Sequence, residues 1–312
     1  MKLFLEYDPK NKSGKGKFLS RLTPELVKLG VRVQYKPKGA DITLGITRFR
    51  GEVTKKKVLR IDGIHFIDSK KHKWNNRRIR KAIKSADAVI YQSKWGKFMI
   101  NNMLKVDPKC YCIYNGANPD DYKDPIKSGY PKNVLMASKW KASDDRRQKR
   151  LEDMYKIARE YAKKNEDVCF WIAGAHNHTD YGIKQIRWLG YLEERILRRY
   201  YAMADVFLHL GHWCWCDNAL VEAVCAGCLP IASDKTGSGE MLKLSGGMPV
   251  NIDEEIKPKA NHKDNKPPPF DYDPVYTALD RAFQFWTAPD YTEFHIKEIA
   301  RQYYNVFKEV LK

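Results

Sequence analysis

Short apolar runs alternate along the chain with longer segments in which apolar residues recur at helical spacing. Residues 3–5, 168–173 and 206–208 are runs of the first kind, and residues 296–310 are a segment of the second. Continuous apolar runs of this length are typical of buried parallel strands, and apolar residues repeated every three or four positions are typical of helices that bury one face. Strands that alternate with helices predict an α/β fold.

The predicted elements fall into two halves, and 312 residues are enough for two hydrophobic cores. We expect residues 1–125 and 130–289 to form two Rossmann-like domains, joined by a linker at 124–130 that contains proline and glycine. The predicted strands of the first half are 3–7, 31–35, 41–46, 57–61, 88–92 and 111–114. Its predicted helices are one that follows the loop 8–17 and contains Phe18, Leu19 and Leu22, and two at 75–85 and 94–105. The predicted strands of the second half are 134–138, 168–173, 186–189, 206–208 and 229–233. A last helix is expected within 290–312, behind a capping box from Asp290 to Glu293.

The charge balance indicates anionic partners. The chain has 57 Lys and Arg against 38 Asp and Glu, a net charge of +19, and nucleic acid, an anionic membrane surface or nucleotide sugars would each satisfy it. Seven cysteines, an odd number, indicate reduced thiols. Because no long apolar run and no signal-peptide pattern is present, we expect a cytoplasmic protein, with peripheral contact to the cytosolic face of a membrane left open.

The stretch 205–240 has the pattern of a phosphate-binding site. An apolar strand leads into a polar, aromatic loop, and Asp217 and Asn218 supply capping side chains for a helix that continues through Ala219. The first turn of a helix presents unpaired N–H groups and a positive dipole end, which together bind phosphate. Glu222 lies one turn further, where a carboxylate can accept both hydroxyls of a ribose. We therefore predict that Asp217, Asn218 and Ala219 bind a nucleotide diphosphate and that Glu222 binds its ribose.

The same residues resemble a known family. Residues 218–233, NALVEAVCAGCLPIAS, are similar to the donor-site signature of GT-B glycosyltransferases of the GT4 family. Residues 237–242, GSGEML, resemble the loop that follows this signature in the family. One departure is Cys214, which stands where the family usually has Glu. Residues 216–218 resemble the Cys-Pro-Asn sequence of some family branches.

The resemblance covers nearly the whole chain, with specific motifs in residues 57–118 and 133–242. It implies a GT-B fold, in which two Rossmann-like domains face each other across a cleft and the last helix crosses back to the first domain. The implied activity is transfer of a sugar, with retention, from a nucleotide-diphosphate sugar to an acceptor hydroxyl of a glycan, a glycolipid or a protein-linked glycan. We expect no cofactor and no metal.

The resemblance also assigns cations and a glycine-rich loop to the donor. Lys149 matches the family lysine that clasps the departing diphosphate, and it is therefore a catalytic candidate as well as a binding one. The residues left open for the second cation are Lys139, Lys141 and Arg146. The residues of the loop that would hold the donor sugar are Gly237, Ser238 and Gly239.

The first half offers two further groups of candidates. Gly14, Lys15 and Gly16 follow the first strand and would let the backbone approach a ligand; the resemblance favours a loop at the cleft, and the alternative is a basic surface turn. Asp62 and His65 follow another strand, and ligands of open α/β sheets bind beyond the carboxyl ends of strands. Both are candidates for contacting a sugar in catalysis, with a turn aspartate and a partly buried histidine as the alternatives.

The sequence supports other functions less well. Cys225 and Cys228 have a zinc-like spacing, but no second pair accompanies them. Asp271 and Asp273 follow three prolines rather than a buried strand, which predicts a loop and not a metal site. Nucleic-acid binding would use the 8 Trp and 18 Tyr, but the basic residues are spread along the chain without an RRM, HTH or KH signature. A GT-B sugar-nucleotide epimerase is the enzyme alternative, and it would need carboxylates in the first domain besides Asp62.

Overall fold

The computed structural model describes residues 1–11, 13–140, 149–175, 182–252, 256–258 and 267–312. The described chain divides into two compact units. Met1–Ala117 and Thr292–Lys312 belong to the first unit, and most of the chain from Asn118 to Tyr291 belongs to the second. Each unit has its own hydrophobic core.

Strands and helices alternate in both units. The strands are β1 (Lys2–Leu5), β2 (Arg32–Gln34), β3 (Ile42–Ile46), β4 (Lys56–Ile61), β5 (Ala88–Tyr91), β6 (Cys110–Cys112), β7 (Lys132–Ala137), β8 (Val168–Ala173), β9 (Ile186–Gly190), β10 (Val206–His209), β11 (Leu229–Ser233) and β12 (Met248–Val250). The helices are α1 (Gly14–Lys28), α2 (Lys70–Ser85), α3 (Lys94–Leu104), α4 (Leu151–Ala162), α5 (Glu194–Met203), α6 (Asn218–Ala226), α7 (Gly237–Ser245), α8 (Asp273–Gln284) and α9 (Ile296–Leu311).

The strands form two parallel six-stranded sheets. The first has the order β2-β1-β3-β4-β5-β6, and the second has the order β12-β11-β10-β7-β8-β9. Helices that connect parallel strands cover both faces of a sheet, which explains why β3, β5, β8, β10 and β11 are buried at every residue. The predicted α/β class with two Rossmann-like sheets is confirmed.

The last helix completes the core of the first unit. α9 packs against α1 and β4, and the Phe18 ring of α1 lies 5.9 Å from the Tyr303 ring of α9. The predicted apolar repeat of this helix, which includes Ile299 and Val306, is buried. The C-terminal helix therefore belongs to the N-terminal unit, as the family resemblance implied.

Two helices begin at residues other than the predicted ones. α9 begins at Ile296 with His295 as its N-cap, so the capping box from Asp290 is wrong; a short 3₁₀ turn occupies Thr292–Phe294 instead. α2 begins at Lys70 rather than at residue 75, because the Ser69 side chain accepts a hydrogen bond from His72 N and caps the helix.

The division between the units, after Ala117, lies before the expected linker at 124–130. The reason is a 3₁₀ turn at Pro119–Tyr122 that packs on α5 and α6 of the second unit and buries Tyr122. Among the helices of the described residues, none is both long enough and apolar enough to cross a membrane.

Candidate functional site

The strand, loop and helix predicted within 205–240 are present. β10 ends at His209, α6 begins at Asn218, and Asp217 is the N-cap residue whose carbonyl accepts the first intrahelical bonds at 3.1 Å. The first turn of α6, which includes Ala219, therefore presents its N–H groups at the carboxyl end of β10. This is the arrangement that the phosphate-site prediction requires.

Lys149 reaches the start of this helix from the segment before α4. Its ammonium group donates a hydrogen bond to Asp217 Oδ2, although the two residues are 68 positions apart. Burial alone would raise the pKa of Asp217, but the Lys149 charge lowers that pKa below its ordinary value, so the carboxylate is ionised at neutral pH. A carboxylate repels a diphosphate, so the Lys149 ammonium and the backbone of α6 suit that ligand better than the Asp217 side chain does.

His209 and Cys214 surround the same carboxylate. His209 Nε2 lies 3.5 Å from Asp217 Oδ2, and burial lowers the pKa of His209 to about 4, which leaves the imidazole neutral at pH 7. Burial raises the pKa of the Cys214 thiol to about 11. The thiol is therefore protonated, and it does not replace the charge of the Glu that the family usually has at this position.

The described residues contain one group that could hold a metal ion, formed by His209, Cys214 and Asp217, whose ligand atoms lie within 4.8 Å of one another. The Lys149 ammonium already bonds the carboxylate of this group and would repel a cation. The two metal motifs weighed from the sequence are not part of it. The Cys228 thiol donates to Tyr201 O at 3.1 Å, and Asp271 and Asp273 lie at the start of α8.

Glu222 lies in the second turn of α6 and is 3% exposed. Because it follows Asn218 by four residues, both lie on one face of the helix, one turn apart. Burial raises the pKa of Tyr201, and the Glu222 carboxylate raises it further. Glu222 is thus placed beside the first turn of α6, as a ribose ligand must be, and also near a buried tyrosine.

The predicted donor-sugar loop, Gly237, Ser238 and Gly239, forms the first turn of α7. Gly237 N donates to Cys214 O at 2.9 Å, and a Cβ atom at Gly237 would lie 2.3 Å from Trp215 O. Ser238 is buried, and a Cβ atom at Gly239 would lie 2.1 Å from Asp234 O. Glycine is required for this contact, which brings the start of α7 against the loop that precedes α6.

In the first unit, Asp62 is the centre of a polar network beyond β4. Its Oδ1 atom accepts hydrogen bonds from Arg60 and, at 2.8 Å, from Gln92 Nε2. Arg60 is 2% exposed and also donates to Asn115 Oδ1 at 2.5 Å. Lys15 Nζ lies 3.8 Å from Asp62 Oδ2. Arg60 of β4 and Gln92, which follows the neighbouring strand β5, thus fix this carboxylate at the carboxyl edge of the first sheet.

The predicted loop of Gly14, Lys15 and Gly16 is the first turn of α1. Ser13 is the N-cap, and its side chain accepts a hydrogen bond from Gly16 N at 3.3 Å. A Cβ atom at Gly16 would lie 1.9 Å from Asn11 O, so the preceding loop folds tightly over the helix start. The loop is thus a structured helix terminus.

His65 has different neighbours from Asp62. Its backbone N–H donates to Asn76 Oδ1 at 3.0 Å, and its carbonyl accepts from Asn76 Nδ2 at 2.8 Å. The imidazole stacks on His72 with ring centroids 4.5 Å apart. These contacts hold His65 against α2.

Of the candidates for the second cation, Lys139 follows β7 at the carboxyl edge of the second sheet. Trp140, the next residue, donates from Nε1 to Ala173 O at 2.7 Å and anchors this segment to the end of β8. Lys141 and Arg146 lie outside the described residues, so the choice among the three stays a prediction.

Three residues of the Asp62 network were not predicted. They are Arg60, Gln92 and Asn115. The sequence does contain a signal for Arg60. This residue lies between the apolar residues Leu59 and Ile61 of a predicted strand, and a buried charge requires a partner. No comparable feature of the sequence pointed to the side-chain amides of Gln92 and Asn115.

Comparison with known proteins bears on both units. Residues 132–255 match the family model for Glycosyl transferases group 1. No curated protein sequence matches the chain.

Several solved structures share the fold. Sucrose-phosphate synthase from Thermosynechococcus elongatus is 12% identical, with a TM-score of 0.71 over 99% of each chain. The pneumococcal O-GlcNAc transferase in complex with UDP and GlcNAc is 15% identical, with a TM-score of 0.57 over 83% of this chain and 57% of that one. A trehalose-6-phosphate synthase studied for glycosyl transfer with retention is 12% identical, with a TM-score of 0.60 over 95% of this chain and 78% of that one. The likeness at these identities shows the fold, which is GT-B.

Proposed function

We propose that the chain is a GT-B glycosyltransferase that moves a sugar from a nucleotide-diphosphate sugar to an acceptor hydroxyl, with retention and without a metal ion. The match of residues 132–255 to the model for Glycosyl transferases group 1 supports this proposal. The observation that carries the proposal is the Lys149 ammonium at the N-terminus of α6. Cation and helix N–H groups at one point stabilise negative charge that develops on a departing diphosphate.

The remaining donor contacts follow from the same helix and its neighbour. Glu222 would accept hydrogen bonds from the ribose hydroxyls, and the first turn of α7, with Gly237 and Gly239, would contact the donor sugar. UDP is present in the complex of the O-GlcNAc transferase, and retention is the subject of the work on the trehalose-6-phosphate synthase. Both support the proposal by likeness of fold.

In the first unit we assign acceptor contact to Asp62 and His65. Asp62 is the better placed of the two, because Arg60 and Gln92 fix its carboxylate at the sheet edge where ligands of α/β sheets bind. The acceptor is a hydroxyl of a glycan, a glycolipid or a protein-linked glycan.

Transfer should proceed at an unchanged rate in excess EDTA. The reason is that Lys149 and α6 already supply positive charge to the diphosphate, which a divalent ion supplies in metal-dependent enzymes. The measurement is release of nucleoside diphosphate from a panel of UDP-, GDP- and ADP-sugars, with and without the chelator. Complete loss of turnover that Mn²⁺ or Mg²⁺ restores would contradict metal independence, and absence of turnover with every donor and acceptor would contradict the proposed function.

A peripheral contact with an anionic membrane is the further part of this proposal, and α2 is the surface that supports it. The helix has eight Lys and Arg among its 16 residues and no Asp or Glu. All eight are exposed. Trp74 is 53% exposed and lies among them, with the Arg78 guanidinium 4.5 Å from its ring. Lys70, Trp74, Arg77 and Lys81 share the face opposite the buried residues, a pattern typical of helices that lie on anionic lipid surfaces.

The protein should sediment with vesicles that contain phosphatidylglycerol and not with pure phosphatidylcholine vesicles. Each Lys or Arg at an anionic surface contributes about 1 kcal/mol, so the double variant Arg77→Glu/Lys81→Glu should bind at least ten-fold more weakly. The double variant Lys163→Glu/Lys164→Glu, with the same charge change at exposed positions of the second unit, is the control. Equal binding to both vesicle types, or equal losses in both double variants, would contradict this contact; binding to RNA alone would favour nucleic acid.

A further inference from the structure

Arg150 directly follows Lys149 and is the N-cap residue of α4. Its carbonyl accepts a hydrogen bond of the first helical turn from Met154 N at 2.9 Å, and its side chain is fully buried. We propose that Arg150 is a positioning residue, which fixes the direction of Lys149 toward the start of α6. This inference rests on the proposed binding of a diphosphate by Lys149.

The backbone of Arg150 is left-handed, with φ +55° and ψ +36°. N-cap residues are usually extended, as Ser13, Ser69 and Ser93 are in this chain. A left-handed conformation is unfavourable for a residue with a Cβ atom and persists only where surrounding contacts hold it. Because the side chain of Arg150 makes no capping hydrogen bond, its contacts elsewhere hold this conformation.

The guanidinium group of Arg150 is held by residues of two segments, the start of α4 and the stretch before α8. Its Nη1 donates to Pro268 O at 2.9 Å, and its Cζ lies 4.5 Å from the centroid of the Phe270 ring. Asp153 Oδ2, in the first turn of α4, lies 3.7 Å from Nη1. A buried charge requires partners of this kind, and the face of an aromatic ring is a favourable place for a guanidinium.

The residues around the guanidinium also contact one another. The Phe270 ring meets the Tyr272 ring edge-on, with centroids 5.1 Å apart, and the Tyr272 hydroxyl donates to Asp153 Oδ1 at 2.8 Å. Arg150, Phe270, Tyr272 and Asp153 therefore form a closed ring of contacts. Tyr272 and Asp153 are 119 positions apart, so the ring fastens the start of α4 to the start of α8.

This ring of contacts determines the direction of Lys149. The φ torsion of Arg150 joins the helix start to the peptide bond of Lys149, so its left-handed value sets the direction in which Lys149 leaves α4. From there the Lys149 ammonium reaches Asp217 at the first turn of α6. A displacement of about 1 Å at a positioned group can cost on the order of 100-fold in rate. Relaxation of Arg150 to an extended or right-handed backbone would therefore weaken diphosphate binding by Lys149.

The test compares Arg150→Ala with Arg150→Gly by isothermal titration of the full chain with UDP, GDP and ADP and with the matching nucleosides. Both variants remove the guanidinium contacts, but glycine adopts a positive φ without strain, whereas alanine does not. Arg150→Ala should weaken nucleoside-diphosphate binding by about ten-fold, close to the loss of a charge-assisted hydrogen bond. Arg150→Gly should weaken it by only about two- to five-fold, the cost of a more flexible backbone. Nucleoside binding should stay unchanged in both variants.

A purely structural role for the Arg150 side chain predicts the opposite order. Glycine removes the same contacts as alanine and adds backbone freedom. A loss of nucleoside-diphosphate affinity at least as large in Arg150→Gly as in Arg150→Ala would therefore overturn the inference.

A matched pair of tyrosines gives a test that leaves Arg150 in place. Tyr272 donates to Asp153 of α4 at 2.8 Å, and Tyr161 of α4 donates to Asp280 of α8 at 2.7 Å. Tyr272 belongs to the ring of contacts, whereas Tyr161 lies near the far end of α4. Both Tyr272→Phe and Tyr161→Phe should lower the melting temperature, but only Tyr272→Phe should weaken nucleoside-diphosphate binding, by about two-fold or more. Equal affinities in the two variants would overturn the role of the ring.

A double variant shows whether Arg150 acts through Lys149. Lys149→Ala/Arg150→Ala should bind nucleoside diphosphates no more weakly than Lys149→Ala alone, because a lysine that is absent cannot be misdirected. Losses that multiply would overturn the inference and leave the proposed role of Lys149 standing, as would wild-type affinity in Arg150→Ala beside a weakened Lys149→Ala. Unchanged binding in Lys149→Ala, or a wild-type chain that binds no nucleoside diphosphate, would overturn both.

Discussion

Replacing Lys149 with alanine should weaken nucleoside-diphosphate binding by ten-fold or more and leave nucleoside binding nearly unchanged. A charge-assisted hydrogen bond to a phosphate oxygen contributes about 1.5–3 kcal/mol, and 1.4 kcal/mol corresponds to a factor of ten. The nucleoside lacks the diphosphate and so loses nothing. Titration of the variant with UDP, GDP and ADP, and with the matching nucleosides, measures the difference. Equal losses for diphosphate and nucleoside would indicate misfolding or a misplaced residue.

The ion pair between Lys149 and Asp217 provides a matched control. If Lys149→Ala acted only by breaking that pair, Asp217→Asn would break it too and cause the same loss of binding. If Lys149 binds the diphosphate, Asp217→Asn removes a nearby negative charge and frees the ammonium, so nucleoside-diphosphate binding should stay the same or become tighter. Equal losses in the two variants would contradict the role of Lys149.

The sheets could be predicted from the sequence because buried parallel strands need apolar residues on both faces. β8 and β10, for example, are continuous apolar runs and are buried at every position. The first residue of a helix was harder to predict, because it depends on one N-cap residue. Ser69 caps α2, which therefore begins before the first apolar residue of its helical repeat. His295 caps α9, which therefore begins after the acidic residues that were predicted to cap it. Local side-chain geometry, which a pattern of apolar positions does not contain, fixed both ends.

The candidate sites were predictable only where one short stretch carries them. Asn218 and Glu222 belong to a single helix, so their spacing in the sequence is their spacing in the structure. The partners of Asp62 come instead from separate strands, with Gln92 30 positions away and Asn115 55 positions from Arg60. Contacts of this kind depend on the order of strands in the sheet, which could not be predicted from the sequence.

Glu222→Gln should reduce affinity for a ribonucleotide by ten-fold or more and should affect the 2′,3′-dideoxy nucleotide much less. A carboxylate accepts hydrogen bonds from both ribose hydroxyls, and each bond to a charged group contributes about 1.5–3 kcal/mol. The dideoxy ligand lacks both hydroxyls. Titration of wild type and variant with the two ligands gives the four affinities that are needed.

The alternative to ribose binding is a structural role for Glu222 in the protein interior. Glu222 is 3% exposed, and its carboxylate raises the pKa of the buried Tyr201, so it could serve as a polar group within the packing of α5 and α6. A structural role of that kind predicts a lower melting temperature for Glu222→Gln and equal affinity changes for ribo and dideoxy ligands. A ribose ligand predicts a melting temperature within a few degrees of wild type, since a change of about 1 kcal/mol shifts the melting temperature of a domain the size of one unit by about 2–4 °C. An unchanged preference for the ribo form would contradict the ribose assignment, and with it the placement of the donor nucleotide on α6.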